Sequence, residues 1–344
     1  MEKILVDPNQ LCMGCMAVLE DPKIRCPHCG FSLDTYEQPP GSLPLYEILN
    51  GKYLIGRVIG MGGFGITYVG WDFYQSRKVC IKEYFPRSVA VRVAEETPYS
   101  LQIQPSSSVQ YSLSVFTQNT EQAQYAYVEG LKTYIREAEN LSKFYLMDGI
   151  VSVRDFFYGN NTAYIVMEYI DGIDMRHYAR VKGGRIYPDE LFSVLRDVLY
   201  ALNEVHKVNM IHRDISPDNI MLTRDYKAKL IDFGAARDYS LHKDGPILLK
   251  HGYAPPEQYD KTGQQGPWTD VYSICASIYY LLTGIRIQNA RERMEQDRLT
   301  LLQVMGVPVS EEQDFAIRKG LSLLPENRYA TIAQLYQDLY GTAL

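Results

Sequence analysis

The sequence predicts an α+β chain in which a strand-rich first half passes into a helical second half, with a small cysteine-bound module ahead of both. Three observations carry this. Short apolar runs flank a glycine-rich stretch between Tyr53 and Lys82. Leu191, Val194, Leu195, Val198, Leu202 and Val205 recur at helical spacing after Pro188. Four of the six cysteines fall at positions 12, 15, 26 and 29 as two Cys-x-x-Cys pairs.

Composition bounds the remaining readings. At 344 residues the chain exceeds what a single core usually covers, and 46% hydrophobic with 22% charged residues is ordinary for a soluble globular chain. Lys and Arg number 35 against 41 Asp and Glu, a formal charge of −6, so there is no basic field to recruit nucleic acid or an anionic membrane. The first residues reach Asp7 and Pro8 before a signal-peptide core could form, and the apolar run Ile274 to Ile285 is too short to span a bilayer. Cysteines in a chain without an export signal favour thiolates and metal over disulfides, and the expected compartment is the cytoplasm.

The first element, residues 1–34, is read as a zinc-ribbon-like module. Cys12 and Cys15, then Cys26 and Cys29, each place two thiolates at the spacing that reaches one tetrahedral Zn2+, and Gly30 allows a tight turn beneath the sulfurs. Redox-active pairs are the competing reading. The stretch between the pairs is short, so the class is given and the subtype is not. His28 is read as solvated rather than as a ligand, and residues 10–33 carry too few apolar side chains to fold without metal. Residues 35–49 include Pro39, Pro40, Gly41 and Pro44 and read as a semi-rigid linker, with the main domain running over residues 50–344.

Gly60-Met61-Gly62-Gly63-Phe64-Gly65 then falls between the apolar runs Leu54 to Ile59 and Ile66 to Val69. Such a loop lets backbone amides approach a phosphate chain. A dinucleotide fold would need a helix after the last glycine, whereas Ile66-Thr67-Tyr68-Val69 reads as a strand. Val79-Cys80-Ile81-Lys82 sets a lysine at the end of an alternating strand, where its ammonium can meet phosphates. In the second half, His212-Arg213-Asp214-Ile215-Ser216-Pro217-Asp218-Asn219 is followed by Asp232-Phe233-Gly234. This places an aspartate that can accept a hydroxyl proton, an asparagine that can hold a metal ion, and a second metal-binding aspartate on one short piece of chain.

From about residue 50 to the end, these motifs together resemble the eukaryotic-like protein kinases, specifically their bacterial Ser/Thr members. The resemblance implies a two-lobed fold with a β-rich lobe over about 50–168 and a helical lobe over about 169–344. It implies an active phosphotransferase using ATP with Mg2+ or Mn2+ on a protein hydroxyl, Ser or Thr by default, in which Asp214 is the base and Asn219 and Asp232 hold the metal. Lys82 positions ATP and pairs with Glu137, with Glu139 as the fallback. Gly60, Gly62, Gly63, Phe64 and Gly65 cover the phosphates, and Thr67, Cys80, Met167, Glu168, Tyr169 and Met221 contact the nucleotide. Cys80 stands where the family usually has alanine. Asp270 matches the buried helix aspartate of the family, and Arg328 the arginine that pairs with the acid in Gly252-Tyr253-Ala254-Pro255-Pro256-Glu257. Arg213 is expected to contact a phosphorylated activation segment, with Tyr239 and Ser240 as the hydroxyls in reach.

Residues 88–127 are longer than the family's usual connection and rich in Gln, Ser and Thr, including Gln104 to Ser108; they read as an insertion, with Tyr111 to Phe116 as a hairpin strand. Two departures stand together. Ser/Thr kinases usually carry lysine two residues after the catalytic aspartate and threonine three before the tyrosine of the Gly-Tyr segment; here these positions hold Ser216 and Lys250. The expectation is that Lys250 supplies the missing cation at the catalytic aspartate and Ser216 the lost hydroxyl contact. The alternative overall reading is a nucleotide-binding scaffold whose zinc module mediates a protein interaction, with the module as a structural dock against the main domain as a further reading.

Overall fold

The computed structural model describes residues 6–20, 25–63, 65–92, 95–96, 111–112, 115–117, 121–233, 237–238, 249–260 and 262–344. Phe64, Gln104 to Ser108, Gly234, Tyr239 and Ser240 lie outside the described residues. The chain divides into two compact units, Met1–Tyr145 with Ser152–Tyr169, and Leu146–Val151 with Ile170–Leu344.

The first unit is built on strands β1 (Ile48–Leu49), β2 (Tyr53–Met61), β3 (Gly65–Asp72) and β4 (Arg77–Tyr84). Four short strands follow, β5 (Ala90–Arg92), β6 (Glu95–Glu96), β7 (Tyr111–Ser112) and β8 (Val115–Thr117), then helix α1 (Glu121–Ser142) and strands β9 (Val153–Gly159) and β10 (Thr162–Glu168). The main sheet is antiparallel with order β1-β2-β3-β4-β10-β9. Side chains alternate across a strand, so in β4 Val79, Ile81 and Glu83 are buried while Cys80 and Lys82 stay partly exposed. Helix α1 buries Tyr127, Tyr134, Ile135, Ala138 and Leu141 and packs against β9 and β10. It begins at Glu121, inside the stretch read as insertion, because helical spacing of buried positions outweighs a Gln-rich composition that alone suggests a loop. The rest of that stretch pairs as β5 with β8 and β6 with β7, so strands occupy part of the expected hairpin segment.

The linker is not a free spacer. The Leu43 amide donates to the Tyr68 hydroxyl at 2.9 Å, and the Tyr46 and Ile55 backbones bond across to β2 and to Glu47. The cysteine module sits on β2 as well: Met13 and Met16 share a buried cluster with Leu54 and Val69.

The second unit contains β11 (Gly172–Asp174), α2 (Met175–Val181), α3 (Pro188–Lys207), β12 (Met210–Ile211), β13 (Ile220–Thr223), β14 (Ala228–Leu230) and β15 (Arg237–Asp238). Helices α4 (Pro267–Thr283), α5 (Ala290–Glu295), α6 (Glu311–Gly320) and α7 (Ile332–Tyr340) complete it. Pro188 opens α3, acids Asp189 and Glu190 fill its first turn and His206 and Lys207 its last, matching the helix dipole at both ends. The six apolar positions singled out in this helix are all buried. Nearly every residue of α4 is buried, and it packs against α3, α6 and α7. Among the described residues no helix is long and apolar enough to cross a membrane.

Candidate functional site

In the sheet unit, Thr67 pairs with Lys82, Val69 with Cys80, and β10 continues both rows through Ile165 and Met167. Directly paired residues share a face, so Thr67, Cys80, Lys82 and Met167 are presented together. The glycine stretch closes with the Gly62 amide donating to the Gly65 carbonyl at 2.9 Å. A β-carbon on Gly65 would lie 2.3 Å from the Glu83 carbonyl oxygen, so this crossing of β3 over β4 admits only glycine. Helix α1 is fixed to the lysine strand by the Tyr134 hydroxyl, which donates to the Lys82 carbonyl at 2.9 Å. Glu137, one turn further on, is half-buried, whereas Glu139 is exposed. The Tyr84 phenol is pushed up to about 12 by burial, then by the Tyr127 and Glu137 charges, which sets Glu137 near the end of β4. Glu168 accepts from the Ser152 amide at 2.8 Å, and the Lys78 ammonium lies 4.5 Å above the Tyr169 ring.

In the helical unit, the buried Asp270 carboxylate organises the start of the His212–Asn219 stretch. It accepts from the His212 amide at 2.7 Å, the Arg213 amide at 2.9 Å and His206 Nε2 at 2.8 Å. Burial alone would raise this carboxyl, but the His206 hydrogen bond and the His206 and His212 charges hold it below the ordinary range. Those contacts support a backbone that turns through φ 69° at Arg213. Asp214 Oδ2 accepts from Asn219 Nδ2 at 2.8 Å, and the same amide nitrogen reaches the Asp214 carbonyl at 2.7 Å. With its nitrogen donated to Asp214, Asn219 keeps its Oδ1 as the acceptor atom a cation would use. The Ile231 amide donates to the Asn219 carbonyl at 2.8 Å and His212 Nε2 to the Ile231 carbonyl at 3.0 Å. Asp232, exposed and at φ 61°, is thereby held beside Asn219. Met221 lies on β13, paired with Asp174 and Lys229.

Asp218 and its contact with Arg176 were missed by sequence reasoning. Arg176 grips the Asp218 carboxylate bidentately at 2.5 and 3.0 Å and also donates to the Tyr253 hydroxyl at 3.1 Å. Lys250 Nζ lies 3.2 Å from the same carboxylate. Burial would raise the Asp218 carboxyl, but the Arg176 hydrogen bond and the Lys250 charge outweigh it and hold it low. Ser216 does not have the expected contact with Asp214: its hydroxyl is buried with no hydrogen-bond partner among the described residues. Asn219 already occupies the Asp214 oxygen, and Lys250 pairs with Asp218. The Glu257–Arg328 pair forms as expected, bidentate at 2.7 and 2.9 Å and buried on both sides.

The cysteine sulfurs of Cys12, Cys15, Cys26 and Cys29 all lie within 4.8 Å of one another. Cys12 and Cys29 are 3.7 Å apart and Cys15 and Cys26 3.8 Å. A tetrahedral ion with Zn–S bonds of about 2.3 Å requires sulfur–sulfur edges of about 3.8 Å, so the four side chains fit zinc. Burial pushes the Cys26 thiol up, but the Cys29 and His28 amides outweigh it and bring it to about 7. His28 is exposed and outside the cluster.

A family model for the protein kinase domain matches residues 110–323. The chain belongs to the protein kinase family. It is similar to serine/threonine-protein kinase F of Synechocystis sp. (strain ATCC 27184 / PCC 6803 / Kazusa), 27% identical over 303 residues that cover 86% of this chain and 56% of that protein. It is also similar to serine/threonine-protein kinase PknB of Mycobacterium tuberculosis (strain ATCC 25618 / H37Rv), 26% identical over 307 residues covering 85% of this chain and 43% of that protein. The chain thus spans about half the length of the curated relatives it matches. Among solved structures, PpkA-294 in its apo form matches with a TM-score of 0.71 and 31% identity, over 87% of this chain and 99% of that one. The sheet-based and helical units are those of the kinase fold.

Proposed function

We propose that this kinase transfers the γ-phosphoryl group of ATP to a Ser or Thr hydroxyl of a protein substrate. The observation that carries the reading is the Asp214–Asn219 hydrogen bond, with Asp232 tied to Asn219 through Ile231. Asp214 orients the acceptor hydroxyl and takes its proton, held in place by Asn219 and, through the backbone, by Asp270. Asn219 Oδ1 and the Asp232 carboxylate are the ligands for Mg2+ or Mn2+, which neutralises the charge of the phosphates when bound. Lys82, supported by Glu137, holds ATP from the sheet, and the glycine stretch lays backbone amides along the phosphates. Thr67, Cys80, Met167, Glu168, Tyr169 and Met221 receive the rest of the nucleotide.

Lys250 is the cation for the transferring phosphate. Arg176 already neutralises Asp218, so the three groups together keep a net positive charge beside the catalytic loop. Cys12, Cys15, Cys26 and Cys29 hold one structural zinc.

Incubation of the protein with labelled ATP and Mg2+, with Asp214→Asn as control, tests the reading. Label on serine or threonine in the parent and none in the variant is the expected result. Nucleotide binding without any transfer would leave a scaffold instead.

A further inference from the structure

The cysteine knuckle is bonded directly to the strand that leads into the glycine stretch. Met13 and Gly14 lie between the thiolates of Cys12 and Cys15. The Met13 carbonyl accepts from the Arg57 amide at 2.8 Å and the Gly14 carbonyl from Arg57 Nε at 2.9 Å. Arg57 stands three residues ahead of Gly60 on β2. The seat is close enough that a β-carbon at Gly56 would meet Met16 Cε at 2.3 Å and the Met13 carbonyl oxygen at 2.5 Å.

The same contact reaches the face that carries the nucleotide residues. Met13 and Met16 cover Val69, and Val69 stands in register with Cys80, which in turn pairs with Met167. Val69 is fully buried, whereas Thr67, Cys80, Lys82 and Met167 on that face are partly exposed. Tyr169 also packs against the methionine cluster.

We propose that the knuckle residues Met13 and Gly14, together with Met16, are positioning residues of the nucleotide site: the module walls off one end of the nucleotide face and steadies the glycine-bearing strand, so that metal on the four cysteines raises ATP affinity. This rests on the nucleotide reading above. Linkage makes the coupling reciprocal, so ATP must raise the affinity of the cysteines for zinc by the same factor. Couplings between distinct sites typically run from about 5-fold to 150-fold, and an effect in that range is expected.

The test uses the full chain and a fluorescent ATP analogue with Mg2+. Zinc-loaded protein is compared with protein stripped by a chelator and then returned to Mg2+ alone. Because stripping can unfold the module, Met16→Ala, which keeps all four cysteines, is measured alongside. The variant is expected to retain one equivalent of zinc and to bind the analogue at least about 5-fold more weakly. Zinc affinity, read by competition with a chromophoric chelator, is expected to rise with saturating analogue in the parent by the factor that zinc gives the analogue, and to rise less in Met16→Ala. Equal analogue affinity in the zinc-loaded parent and zinc-loaded Met16→Ala, or zinc affinity indifferent to nucleotide, overturns the proposal while leaving the nucleotide site standing. A zinc-loaded parent that binds no analogue overturns both.

Discussion

Arg92 decides whether the chain after β4 is part of the core of the sheet unit or an appendage to it. Glu83 is completely buried, and its carboxylate accepts from the Tyr68 hydroxyl at 2.8 Å, the Tyr164 hydroxyl at 2.9 Å and Arg92 Nη2 at 2.6 Å. Arg92 comes from β5 in the inserted stretch, its side chain is only 5% exposed, and its Nε also donates to the Gly41 carbonyl of the linker at 2.9 Å. Burial and the Glu83 charge push the Tyr68 and Tyr164 phenols far above their usual range, so both stay neutral donors and the positive charge facing Glu83 comes from Arg92. Arg92→Met keeps the bulk of the side chain and removes the cation. Breaking one partner of a buried pair costs about 3 to 5 kcal/mol, because the remaining charge has no solvent to fall back on.

With a urea m value on the order of 2 kcal/mol per M, that loss moves the unfolding midpoint of the sheet unit by roughly 2 M. The chain has two tryptophans, Trp71 on β3 and Trp268 in the helical unit, so a Trp268→Phe background makes fluorescence report the unit that matters. Adding Glu83→Gln to Arg92→Met is expected to restore most of the midpoint, since a neutral amide needs no counter-ion: its oxygen still accepts from one of the two phenols and its NH2 donates to the oxygen of the other. A midpoint for Arg92→Met within about 0.3 M of the parent, inside the error of the extrapolation, would refute the reasoning.

Three further predictions concern other parts of the chain. Lys250→Ala is expected to lower turnover about a hundredfold to a thousandfold with ATP affinity little changed, as for loss of one transition-state donor, and Ser216→Lys added to Lys250→Thr to recover part of it; steady-state kinetics checks both. Cys26→Ser is expected to lose its one equivalent of zinc, measured by metal analysis, while circular dichroism shows the helical unit intact. Asp218, whose folded pKa is depressed, contributes stability that is present above its unfolded value of about 3.9 and lost as pH falls through the lower folded value. Acid titration of unfolding is therefore expected to cost Asp218→Asn less stability than the parent below about pH 4.

What the sequence disclosed and what it hid follow from the range over which each residue acts. Cys12 and Cys15, or Asp214 and Asn219, meet within a few residues of each other, so their spacing carries their geometry. The α3 periodicity is legible for the same reason. Ser216 and Lys250 are near the right place, but a hydroxyl or an ammonium chooses among neighbouring carboxylates. Here Lys250 shares Asp218 with Arg176, which reaches that carboxylate from 42 residues away in the sequence. Arg92 was hidden in a stretch whose Gln-, Ser- and Thr-rich composition says nothing about a single buried cation on β5.

The docked module was the least legible feature, yet one residue in β2 bears its imprint. Glycine inside a strand sacrifices about 0.5 to 1 kcal/mol relative to alanine and offers no side chain to pack. It persists there where another backbone or side chain comes too close for a β-carbon. Gly56 interrupts the apolar run from Leu54 to Ile59, and the group that excludes a β-carbon is the knuckle of the cysteine module itself, through Met13 and Met16. The strand has been shaped to receive the module, and the module to lie on the strand. A detachable targeting appendage would need no such fit, whereas a module that shares the work of the sheet does.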